Sequence, residues 1–347
     1  MKKYSTKKMV IPSFIILLIL ISFNTFITPF NPYDETWNFQ SVYKMYTGGT
    51  LYNTSNVIDT PIFFVLGNLL FHVLGANLFV FRIYGILLFL VKYILMFFIF
   101  KKLGSNHLLS ILYVLLWITI DSNSIGCSAN YNQLALIMCL LGILWYITHH
   151  SHKLYHWGQG LVIFLVFFTK QNIGVYYALG LVFFELLSSK FHKKFFLHQF
   201  TKLASFLPCL LISLTIMYWQ GNLVSFINLC FGSLLEFGSA NRAFNIDTLP
   251  YLLGMIFVIS FSIFIIKSKN TSNELKESTK FLLCLATFLS LIMLPIINSY
   301  HTIMSVTFYY LLFIYIIDTL ILREVFTLNL HKILLLSICF FIFCAMF

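Results

Sequence analysis

The chain has 347 residues, 60% of them hydrophobic and only 10% charged, against about 25% charged in a soluble domain. That excludes a water-covered globule, and it changes the meaning of the formal net charge of +11. In an apolar chain, basic residues mark cytoplasmic loops, so no nucleic-acid partner is expected. The seven cysteines show no CxxC pair or metal-ligand spacing, and most lie inside apolar runs, where cysteine behaves as a small hydrophobe. No metal or other cofactor is implied.

Apolar runs occupy 9–30, 61–75, 78–100, 108–120, 133–147, 156–169, 173–188, 203–219, 248–266, 281–297, 303–322 and 333–347. Water cannot pair backbone groups inside lipid, so such runs must be helical. They are too long and too uniformly apolar for the alternating strands of about ten residues that build a barrel. The expected fold is therefore all-α, a polytopic transmembrane helical bundle in one integral membrane domain over 1–347. Met1–Lys8 carries four lysines ahead of the first run. That run is long for a signal-peptide core and lacks a small-residue cleavage site, so it reads as an uncleaved first span.

Charge counting fixes the expected topology. If 61–75 does not cross the membrane, 17 of the 22 basic residues fall on the side of the N-terminal lysines. If it does cross, thirteen of those 17 move outside, against the positive-inside rule. The run 61–75 is then an interfacial or re-entrant helix between Pro61 and Gly75, and about eleven spans remain. Segment 31–77 becomes one outer loop. Within it, Glu35–Thr47 places Phe39, Val42, Tyr43 and Tyr46 on one helical face before Gly48–Gly49, as in an amphipathic helix lying on a membrane surface. A second large outer loop covers 220–247. The runs 108–120 and 156–169 reach only roughly 20 Å, short of a hydrocarbon core of about 30 Å. The following residues, Asp121 and Lys170, are therefore expected to sit recessed beside an outward-opening cavity.

Six of the eleven acids, Asp34, Glu35, Asp59, Asp121, Glu236 and Asp247, gather on this outer side. Asp34 and Glu35 directly follow the first span, where partial desolvation makes a carboxylate a stronger base. Asp34 equally suits a helix N-cap, with Glu35 favoured by the dipole of the first turn, and the two roles are compatible. Arg82, Lys170 and His301 are the candidate cations for an anionic ligand, and each also has a structural reading: interfacial anchor, loop charge or helix-end partner. Lys92, Glu185 and Asp318 fall within spans. Glu185 and Asp318 lie near span ends, where a charge can snorkel, while Lys92 sits near mid-span with no obvious partner.

The segment YDETWNFQSVYKMYTGGTLY followed by DTPIFFVLGNLLFHVLGANLFVFRIYGILL resembles the start of the polytopic GT-C type glycosyltransferases, which include the protein O-mannosyltransferases and the bacterial aminoarabinose transferases. Asp34, Glu35, Gly49, Tyr52, Pro61, Gly75 and Arg82 stand at matching places. NSYHT at 298–302 is similar to the last outer loop of that family. The likeness covers about 90 residues closely and the remainder in layout. It implies transfer of a sugar from a polyprenyl-phosphate donor to a glycan, lipid or protein acceptor on the outer face of a bacterial cytoplasmic membrane, in cell-envelope or surface-glycan assembly, with inversion. On that resemblance Asp34 and Glu35 are the catalytic carboxylates, and Arg82, Lys170, His301 and Asp121 bind substrate. No metal is required.

Two other readings share the outer face. A surface-polysaccharide polymerase or ligase would depend on Arg242, His301 and the 220–247 loop. A transporter of lipid-linked sugars would favour inverted repeats and helices broken at mid-membrane; no repeat is visible in the sequence.

Overall fold

A computed structural model describes residues 12, 15–16, 19, 22–23, 25–27, 34–125, 129–152, 154–189, 192–233, 243–269, 271–294 and 296–323. The apolar run 333–347, the residues 31–33, and Glu236 and Arg242 lie outside this set. The described helices, in chain order, are α1 (Asp34–Tyr46), α2 (Ile62–Leu74), α3 (Leu78–Lys102), α4 (His107–Ile125), α5 (Tyr131–His149), α6 (Tyr155–Thr169), α7 (Gln171–Ser189), α8 (Lys193–Trp219), α9 (Leu223–Ile227), α10 (Leu249–Lys267), α11 (Asn273–Leu289) and α12 (Ser299–Ile317). Six of them, α3, α5, α7, α8, α10 and α12, are long and apolar enough to cross a membrane, the signature of an integral membrane protein. The chain is all-α in class. Extended pairing among the described residues is limited to two two-residue strands, β1 (Ala243–Phe244) and β2 (Ile296–Ile297), aligned in parallel.

The chain folds as two compact units. The first takes 1–175 and 191–240, the second 176–190 and 241–347. In the first, α2 has the punctuation expected from its sequence. Pro61 precedes it, and Gly75 ends it at φ 91° while its N–H donates to the Phe71 carbonyl, a backbone position that suits glycine. At 13 residues it is about 20 Å long. Phe63, Phe64 and Phe71 form its buried face, and Gly67 admits the Val42 side chain of α1 to close contact. Small residues also let the longer helices approach one another. A Cβ on Gly160 of α6 would lie 2.0 Å from Ser205 Oγ and 2.2 Å from the Lys202 carbonyl of α8, so the two helices touch backbone to side chain there. Gln159 Nε2 donates to the Gly142 carbonyl of α5 at 2.9 Å and gives α6 a polar tie inside an apolar contact.

In the second unit, Gly180 of α7 faces Leu285 of α11, and Phe184 packs edge-on against Phe281. α12 is the centre of this unit: every residue from Thr302 to Ile316 is buried. Asn298 caps it by accepting from the His301 backbone N–H at 2.9 Å.

α1 buries Glu35, Asn38, Ser41 and Val42 and leaves Tyr43 and Tyr46 exposed. Glu35 finds a cationic partner in the interior, while Phe39, Tyr43 and Tyr46 meet one another and the flank of α2 by ring contacts with Phe71 and His72. One local expectation changes: α4 does not stop before Asp121. It runs on to Ile125, because the carboxylate is neutralised inside the bundle and gives the helix no reason to end.

Candidate functional site

Four basic residues, Lys44, Arg82, Lys92 and Lys170, each have a partner within the first unit. Lys44 is exposed and donates to the Thr54 carbonyl at 3.0 Å, a loop tie. Arg82 and Glu35 form a fork: Nε donates to Oε1 at 2.8 Å and Nη2 to Oε2 at 3.2 Å. The guanidinium also reaches the Thr25 carbonyl of the first apolar run at 3.3 Å. The fork fixes the first turn of α1 against α3, so Asp34 is presented from a rigid helix start.

Lys92 of α3 has the partner that the sequence did not reveal. Its ammonium donates to Asp121 Oδ2 of α4 and, at 2.8 Å, to Gln133 Oε1 of α5. The Tyr93 hydroxyl donates to the same Asp121 oxygen at 2.7 Å, and the ammonium lies 4.2 Å from the Phe89 ring centroid. Asp121 is thus buried and bound within the protein by Lys92 and Tyr93 of α3.

Lys170 is different. It follows α6 in extended conformation and is largely buried, with 12% of its side chain exposed. Its Nζ lies 4.5 Å over the Tyr131 ring and 3.8 Å from Asp59 Oδ1, beyond hydrogen-bond length. Burial pushes the Lys170 ammonium below the usual lysine range, against the pull of Asp59 and then Asp34. Burial likewise raises Asp59, offset in part by Lys170 and the nearby Tyr131 hydroxyl and reinforced by Asp34. Asp34, Asp59, Lys170 and Tyr131 therefore form one electrostatic group. Asp34 is its exposed member, and Trp37 of α1 packs edge-on to the Tyr131 ring at 6.4 Å.

The Asp59 loop is held from several directions. The Tyr52 hydroxyl donates to the Asp59 carbonyl at 3.0 Å, and Cys230 Sγ reaches the same oxygen at 3.5 Å. Gln171 Nε2 donates to the carbonyls of Ile58 at 2.8 Å and Cys230 at 2.9 Å. Thr60 Oγ1 donates to the Phe167 carbonyl at 2.8 Å. Tyr52 itself sits at φ 73°, a left-handed conformation that costs a non-glycine residue on the order of 1–3 kcal/mol and persists only where its surroundings over-determine it.

Of the six residues singled out from the sequence, the structure brings Asp34 and Lys170 together, pairs Glu35 with Arg82, and commits Asp121 to Lys92. His301 belongs to the second unit, in the first turn of α12, where its Nδ1 lies 3.0 Å from Asn298 Oδ1. Sequence reasoning missed Asp59 and Tyr131 as members of the group. Their only signals were an acid between the first two apolar runs and an aromatic before the run 133–147, each too common to stand out. Comparison with protein-family models, curated proteins and solved structures finds no match to this chain.

Proposed function

We propose that the chain is a membrane glycosyltransferase of the GT-C type that moves a sugar from a polyprenyl-phosphate donor to an acceptor on the outer face of the membrane. The observation that carries this reading is Lys170: a buried ammonium that makes no hydrogen bond to the described residues, in one electrostatic group with an exposed carboxylate, Asp34. A desolvated cation with unused N–H donors is suited to an anionic oxygen, and it stabilises developing negative charge more strongly than a hydrated one.

In the reaction, Asp34 takes the proton of the acceptor hydroxyl. The acceptor oxygen attacks the anomeric carbon, and the bond from that carbon to the phosphate oxygen breaks. The electron pair stays on the phosphate, whose charge is met by Lys170. Inversion follows from direct displacement. Glu35 and Arg82 bind one another and act by holding the first turn of α1, and Asp121 acts by neutralising Lys92. The assignment of His301 as a phosphate ligand rests on the resemblance alone. About eleven spans, with 31–77 and 220–247 on the outer side, complete the proposed topology.

The test is transfer of labelled sugar from polyprenyl-phosphoryl hexoses in proteoliposomes. Wild type gives glycosylated product, and Lys170→Met and Asp34→Asn give none. Substrate movement across the vesicle without product would replace the reading with transport.

A further inference from the structure

Asp59 is the one charged group in this cluster with no role yet. It is only 3% exposed, and its Oδ2 makes no hydrogen bond to the described residues, although buried carboxylate oxygens are ordinarily satisfied. Its Oδ1 faces Lys170 at 3.8 Å, too far for a hydrogen bond. Meanwhile its main chain and both neighbours are fastened by Tyr52, Cys230, Gln171 and Thr60. So much fixed structure around a buried carboxylate with one oxygen left unbonded is the pattern of a preorganised recognition group, for which strain is stored in the supporting backbone. Tyr52 supplies that strain at φ 73°.

We infer that Asp59 is a specificity-determining residue: its carboxylate accepts a hydrogen bond from a hydroxyl of the sugar while the adjacent phosphate sits on Lys170. This rests on the reading of Lys170 as a lipid-phosphate site and adds to it the group that tells a glycosylated lipid from a bare one. Two effects act together. A carboxylate beside Lys170 competes with any phosphate and repels it, and it does so most strongly against a bare lipid phosphate, a monoester with a charge of about −1.5 to −2. A glycosylated phosphate is a diester with a single charge, and its hydroxyls compensate the carboxylate by a charge-assisted bond. The same residue thereby favours donor binding and product-lipid release.

The experiment measures binding of polyprenyl phosphate, and of the same lipid carrying glucose, mannose, galactose or N-acetylglucosamine on its phosphate, to the full chain in nanodiscs. Wild type is expected to bind at least one glycosylated lipid about tenfold more tightly than the bare one, the scale of a hydrogen bond to a charged group. Asp59→Asn is nearly isosteric and is expected to shift the two in opposite directions, weakening the glycosylated lipid and tightening the bare one. Lys170→Met loses both. If wild type does not discriminate, or if Asp59→Asn tightens both lipids or leaves both unchanged, the inference is overturned. Binding of bare lipid that is still lost in Lys170→Met would leave the phosphate site standing. If neither kind of lipid binds wild type, the phosphate site and the inference fall together.

Discussion

The ammonium of Lys92 and the carboxylate of Asp121 meet inside the first unit, each side chain 1% exposed, and join α3 to α4 while Gln133 extends the network to α5. Within an apolar bundle neither charge could stand alone, since an isolated ion in hydrocarbon is strongly disfavoured. Together, with Tyr93 completing the carboxylate's bonds, they are accommodated, and their pairing dictates how three helices register.

This pairing predicts an asymmetry between single and double variants. Asp121→Ala leaves a buried ammonium uncompensated and is expected to destabilise by about 3–5 kcal/mol. Lys92→Met combined with Asp121→Leu removes both charges and is expected to recover most of that loss. Unfolding in mixed micelles, followed as a double-mutant cycle, checks both. A double variant no more stable than Asp121→Ala would show that the network contributes more than charge compensation.

Arg82→Ala is expected to destabilise on a similar scale, about 3–5 kcal/mol, by leaving the buried Glu35 carboxylate without its fork. Arg82→Lys should rescue only in part, because an ammonium cannot reproduce two parallel bonds. Thermal melts of the three proteins in one detergent decide the order.

Asp34→Asn separates chemistry from folding. The side chain is exposed, so unfolding should stay within about 0.5 kcal/mol of wild type, while sugar transfer is lost. A variant that melts like wild type and still transfers sugar would remove Asp34 from the role of base.

Asn38, one turn beyond Asp34, is fully buried, and neither polar atom of its amide has a hydrogen bond among the described residues. Asn38→Leu is expected to raise the stability of the ligand-free protein by about 1–3 kcal/mol, the penalty of an unsatisfied buried polar group. A lowered melting temperature would mean that the amide already has a partner.

Binding of bare polyprenyl phosphate should depend on pH in two ways. Lys170 must be protonated to hold the anion, and because burial lowers its pKa, affinity should fall at a lower pH than the ordinary value of 10.5 would give. Asp59 is raised above 3.8. As pH drops through that raised value the carboxyl becomes neutral and stops competing, so affinity should rise on acidification. The lipid phosphate titrates as well, and Asp59→Asn isolates the difference: its acid limb should lack the contribution of Asp59. Titrations by equilibrium binding across the range read both limbs.

The sequence by itself determined the class of molecule and the bounds of α2. Apolar runs leave the backbone no alternative to helix in lipid, and Pro61 and Gly75 punctuate α2 because proline cannot supply an interior N–H and glycine tolerates φ 91°. The sequence also singled out Arg82 and Lys170 as candidate cations and Lys92 as a charge inside an apolar run. What it could not supply was their partners. Glu35 is 47 residues from Arg82, Asp121 is 29 from Lys92, and Asp59 is 111 from Lys170, and no local pattern links residues so separated. Tertiary packing alone decided that two of these cations, Arg82 and Lys92, meet hydrogen-bonding side chains. It left the third, Lys170, buried among Tyr131, Asp59 and Asp34 without a hydrogen bond, because helix packing sets which charges lose water and which find a partner when they do.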